Sequence, residues 1–124
     1  MNQGALNLSV TRSILFLLAV SAFAGCAQKP LIYAWGSYED QIYAMYHDPG
    51  KVSVEEQILS LERDYQLARS KNKSVPPGFH AHLGYLYYQV GKADQALQSF
   101  KTEKNLFPES THYMNFLISR MTKT

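Results

Sequence analysis

The sequence predicts an all-α protein, a short bundle of about five helices, and three observations carry that prediction. Apolar residues recur at spacings of three and four over most of the chain from Ser37 onward. Pro49-Gly50, Pro76-Pro77, Gly91 and Pro108 stand between those stretches, where turn residues belong. Two of the stretches are joined by a short turn at Gly91, which is the pattern of an αα-hairpin.

The elements follow in order. Ser37 to His47 begins with an N-cap candidate, Ser37, and carries Asp40 at the third helical position, an approximate capping box. Tyr38, Ile42 and Met45 form its expected inner face. Asp48-Pro49-Gly50 ends it, because proline removes a donor and glycine admits positive φ. The next helix opens on a full capping box, Ser53-Val-Glu-Glu56, and places Val54, Ile58, Leu61, Tyr65 and Ala68 on one face; Glu55, Glu62, Arg63 and Arg69 read as its solvated side. It dissolves into Ser70-Lys-Asn-Lys-Ser74 before Pro76. Phe79, Leu83, Leu86 and Val90 mark a third helix closed by Gly91 as the left-handed C′ residue. Ala93, Ala96, Leu97, Phe100 and Phe107 mark a fourth, ended by Pro108. A fifth starts at the N-cap candidate Ser110 and runs through Tyr113, Met114, Leu117, Ile118 and Met121.

Composition narrows the function. The chain has 124 residues, 46% of them hydrophobic and 18% charged, with a formal net charge of +2, so it forms one small domain at most and carries no electrostatic footprint for nucleic acid. Six Phe and nine Tyr supply too much ring surface for a disordered chain. Near the start, Arg12 precedes an uncharged apolar run from Ser13 to Ala24, which reads as a secretory signal and is too short for a membrane span. Residues 1–25 are therefore read as a signal peptide, 26–36 as a tether and 37–124 as the helical domain. The tether's second half, with Leu31, Ile32, Tyr33 and Trp35, is apolar enough to pack onto the domain.

Three resemblances sharpen this reading. Phe23-Ala24-Gly25-Cys26 resembles the lipobox of bacterial lipoproteins, which implies acylation of Cys26, the only cysteine, and, with Ala27 following it, an outer-membrane anchor facing the periplasm. From Pro77 the hairpin resembles a tetratricopeptide repeat, with Leu83, Gly84, Tyr87, Ala96, Phe100 and Pro108 at the pattern's positions. His80 and Glu103 depart from it, standing where a bulky apolar and a small residue are usual. Continuing the register places Met114 and Leu117 in the first half of a further unit. The mature chain as a whole, through Tyr33-Ala-Trp-Gly-Ser-Tyr-Glu-Asp40, Tyr43, Tyr46, Pro76-Pro77-Gly78, Leu83-Gly84-Tyr85 and Phe107-Pro-Glu-Ser110, resembles an uncharacterised family of small bacterial lipoproteins typically encoded beside a curli-secretion-channel-like lipoprotein. That resemblance implies an accessory role in an envelope assembly, with a secretion-channel-like lipoprotein as partner.

Candidate chemistry is sparse. His80 and His82 are two apart, so a helix points them to different faces, whereas chelation wants a spacing of three or four; His47 and His112 are isolated. Ser70-Lys-Asn-Lys73 lacks the companion motifs of a serine acylase. Glu39-Asp40 and Glu55-Glu56 fall in first helical turns, where negative charge suits the dipole. The sequence therefore predicts no enzyme, no metal and no cofactor. The repeat resemblance implies a concave surface at His82, Tyr85, Tyr88 and Gln89, with Asn115 and Ser119 adjacent, and Trp35 and Tyr38 join these as candidate partner-binding residues. A pilotin-like escort of another secretion or pilus complex, or a cell-wall glycan contact protein, are the alternatives.

Overall fold

The computed structural model describes residues 31–122, together with Val10 and residues 12–14, which are helical. Cys26 and the rest of the signal-like segment lie outside the described residues. Among the described residues the fold is all-helical, as the periodicity predicts: α1 (Tyr38–His47), α2 (Val54–Ser70), α3 (Phe79–Gln89), α4 (Ala93–Leu106) and α5 (Thr111–Met121), with a 3-10 turn at Pro108–Ser110. Helix α3 packs most extensively on α4, which also carries α5, while α2 lies against α3.

Local chemistry explains α2 and the α3–α4 turn. The Ser53 hydroxyl accepts from the Glu56 amide at 3.2 Å, and the Ser53 amide donates to the Glu56 carboxylate at 3.2 Å, so the capping box is complete. Ile58, Leu61 and Ala68 then turn into the core. Gly91, at φ +75°, closes α3, its amide donating to the Tyr88 carbonyl and that of Lys92 to the Tyr87 carbonyl.

Between α3 and α4 the constraint is steric. Gly84 and Ala96 are both buried, and a Cβ built at Gly84 would lie 2.7 Å from the Phe100 ring and 3.1 Å from the Ser99 Cβ. No ordinary side chain fits at that position without movement. Phe79, Leu83, Leu86, Tyr87, Phe100 and Met114 fill the space around this contact.

Glu103 accounts for its own departure from the repeat pattern. Only 2% exposed, its carboxylate accepts the amides of Gly78 at 2.6 Å, His80 at 3.1 Å and Ala81 at 3.2 Å. It thereby supplies the cap that α3 lacks locally, since Gly78 offers no side chain. Gly78 itself sits at φ +89°, and a Cβ there would meet the Tyr38 hydroxyl at 2.7 Å.

Other local expectations are corrected by tertiary partners. Ser37 does not cap α1 with its side chain, and no box forms with Asp40; its hydroxyl and amide both donate to Asp64 of α2, each at 2.6 Å. Helix α1 has no fully buried residue, yet Tyr38, Ile42 and Met45 form its half-buried inner face as the spacing predicts, with Tyr38 packed against the core. Ser110 also caps nothing: its hydroxyl donates to the Phe107 carbonyl within the 3-10 turn. Tyr113, placed by spacing on the inner face of α5, is 59% exposed, and Ala93 is exposed at the start of α4. Glu62 is not simply solvated, because it accepts the hydroxyl proton of the buried Tyr87.

Of the apolar stretch before α1, Tyr33 and Trp35 pack on the domain as its composition predicts, whereas Leu31 and Ile32 stay exposed. The Ala34 amide donates to the Ser74 carbonyl at 2.8 Å, Tyr33 forms an isolated parallel bridge with Ser74, and the Tyr33 ring meets Phe107 edge-on. The Gly84→Ala variant should lose about 1–3 kcal/mol through overpacking, more than alanine's better helix propensity returns. Thermal denaturation checks this, and a melting temperature equal to wild type would contradict the close approach at Phe100.

Candidate functional site

The face of α3 decides which predicted residues meet the outside. Tyr85 and Tyr88, three residues apart, remain 46% and 43% exposed, and Gln89 is exposed beside them. Tyr87 turns the other way into the core, as a helix with three tyrosines in four positions requires. His82 is 8% exposed, so the structure places it inside rather than on the predicted surface, with Tyr38 covering it at a ring distance of 6.0 Å.

The remaining candidates divide. Trp35 stacks on Tyr38 at 6.4 Å, and Tyr38 also packs against Phe79 at 5.6 Å. These two rings belong with α1. On α5, Asn115 accepts a hydrogen bond from Lys104 at 3.0 Å, and the Ser119 hydroxyl donates to the Phe116 carbonyl. Both are exposed. The predicted set thus comprises a tyrosine face on α3, an aromatic pair reaching α1, and two α5 side chains with partners of their own.

Spacing did not reveal three further features. A groove of about 480 Å³ runs along α1, lined by Trp35, Tyr38, Glu39, Ile42, Tyr43, Tyr46 and His47. A groove of about 550 Å³ lies between α2, α3 and α4, where Tyr65 and Leu83 line it together with Glu62, His80, Gln95 and Gln98. A cleft of about 190 Å³ opens where α1, α2 and α3 meet, beside Met45, Leu86 and Gln89. Tyr43 and Tyr46, only three apart, were the signal for the first.

The titratable groups of the site serve packing. His80 lies between Tyr65, at 5.1 Å, and Phe79, at 5.5 Å, both edge-on. Neither His80 nor His82 finds a hydrogen-bond partner for Nε2 among the described residues. Burial lowers the pKa of both rings below the ordinary imidazole range. Burial also raises Tyr87, reinforced by its hydrogen bond to Glu62, and raises Tyr38, reinforced by the charge of Glu103. Among the described residues no three His, Cys, Asp or Glu side chains gather as a metal site, and no helix is long and apolar enough to cross a membrane.

The lowered histidines predict acid sensitivity. An imidazole whose folded pKa lies below its unfolded value of about 6.5 contributes its full stability above that pH and loses it as pH falls toward the folded value. The melting temperature should therefore fall between pH 7 and pH 5, a window above the ordinary carboxylate range. In a His80→Phe, His82→Phe double variant the fall should be shallower, and an unchanged slope would assign the sensitivity elsewhere.

No curated protein and no solved structure matches the chain. Residues 32–117 match the domain of unknown function DUF4810, a span that starts at the apolar stretch clasped to Ser74 and ends within α5. Covering well over half the sequence, that match makes the chain a member of the uncharacterised DUF4810 family.

Proposed function

We propose that the protein is an outer-membrane lipoprotein, held through acylated Cys26 and facing the periplasm, that acts as a binding and assembly accessory for a curli-secretion-channel-like envelope complex. The anchor rests on the resemblance of Phe23-Ala24-Gly25-Cys26 to a lipobox, following the apolar run from Ser13 to Ala24. The tetratricopeptide-like reading of the hairpin is supported by Gly84 and Ala96 at the interface of α3 with α4, with Phe100 against Gly84.

The observation that carries the binding role is the tyrosine face of α3. Tyr85 and Tyr88 keep nearly half their surface exposed on a helix whose other side is buried. Tyrosine offers large contact area, a polar tip and few rotamers to freeze, which suits a protein contact. The buried carboxylate and the half-buried one beside the core, Glu103 and Glu62, are engaged by backbone amides and by Tyr87, which favours binding over catalysis.

Two measurements test the reading. A photocrosslinking amino acid at position 88, in intact cells, should capture a channel-like lipoprotein; adducts confined to cell-wall fragments would overturn the protein-partner reading. The Cys26→Ser variant should move from the membrane fraction to the soluble periplasm, because a protein without acyl chains loses about 0.8 kcal/mol per methylene of membrane affinity. Continued membrane association would contradict the anchor.

A further inference from the structure

The aromatic stripe on α1 has no occupant among the described residues. Tyr43 is 62% exposed, Tyr46 is 75% exposed, and Ile32, just before the packed Tyr33, is 81% exposed. Tyr43 and Tyr46 border the groove of about 480 Å³ along this helix together with Trp35, Ile42 and Glu39, and the Tyr43 ring is stacked on His47 at 4.0 Å. Tyr38 closes the floor and faces the core, so the stripe is fixed to the bundle rather than loosely hung.

Three facts point to what covers it. Ile32 follows Cys26 by six residues, a span of at most about 20 Å of extended chain, so an acyl anchor at Cys26 keeps α1 within reach of the headgroup layer. Tryptophan and tyrosine are the residues that settle at the boundary between headgroups and acyl chains, where a ring is apolar on its faces and hydrogen-bonds at its tip. The charged residues in the first turn of α1 are Glu39 and Asp40, which disfavour attraction to anionic lipid and suit a zwitterionic surface.

We infer that the Trp35–Tyr43–Tyr46 stripe rests on the zwitterionic phospholipid interface of the membrane that holds the anchor, and so sets the orientation of the bundle on that membrane. The inference depends on acylation of Cys26. With α1 seated, the domain is held at two places, by its acyl chains and by its rings.

Trp35 is the only tryptophan, so fluorescence excited at the long-wavelength edge, where indole absorbs and the nine tyrosines do not, reports this stripe alone. The acylated, mature full-length protein is reconstituted into vesicles of phosphatidylethanolamine and phosphatidylcholine, with or without bromine on the acyl chains. The expected result is flotation with the vesicles and at least about twofold quenching of Trp35 by the brominated lipid, with weak quenching by aqueous acrylamide. Flotation with Trp35 indifferent to bromine would leave the anchor standing and overturn the docking of the stripe. Failure to float would instead remove the anchor reading on which the inference rests. Protection from both quenchers, with crosslinked dimers, would assign the stripe to a second copy and overturn the lipid contact. Tyr43→Ser with Tyr46→Ser, which removes two rings from outside the core, should at least halve the quenching; quenching equal to wild type would overturn the stripe as the contact.

Discussion

A carboxylate buried in the hairpin, that of Glu103, organises the rest of the domain. Taking a carboxylate out of water is costly unless donors replace the lost hydration, and here the amides of Gly78, His80 and Ala81 do so. Those amides belong to the start of α3, which has no cap of its own. The same three bonds therefore satisfy α4's buried charge and α3's free donors, and they hold the two helices in one register. Gly84 can meet Phe100 only in that register, and Tyr38 can lie over Gly78 only while that glycine keeps its left-handed backbone.

Asp64 repeats the device at smaller scale. It accepts both the amide and the hydroxyl of Ser37, fastening the start of α1 to α2 as Glu103 fastens the start of α3 to α4. In each case a carboxylate borne on one helix caps a neighbour, and helix N-termini favour negative charge wherever it comes from. The bundle is small, and capping across helices lets polar groups contribute to tertiary order as well as to local structure.

The helices legible in the sequence were those whose signals lie within a few residues. Ser53 and Glu56 announce α2, Gly91 announces the turn, and Gly84, Ala96 and Phe100 announce the hairpin, because a capping box, a C′ glycine and a repeat register are each local patterns. Ser37, Ser110 and Glu62 were misread for the opposite reason. Their partners are a distant residue or a 3-10 turn, and no spacing rule encodes a contact between positions 37 and 64 or 62 and 87. The candidate surface was half legible. Helical geometry requires Tyr85 and Tyr87 to diverge, but the coverage of His82 by Tyr38 and the outward turn of Tyr43 and Tyr46 follow from how α1 lies on the domain.

The backbone clasp at Ser74 has a mechanical consequence. Any pull arriving from the N-terminal side reaches the bundle first at the Tyr33–Ser74 bridge and the Ala34 amide, and then at the Asp64 bonds to Ser37. Ser74 stands two residues before Pro76, in the segment that leads into α3. Tension is thus delivered to the middle of the chain rather than to a fraying end, and the load is shared by α2 and the loop before α3 before α1 has to unwind.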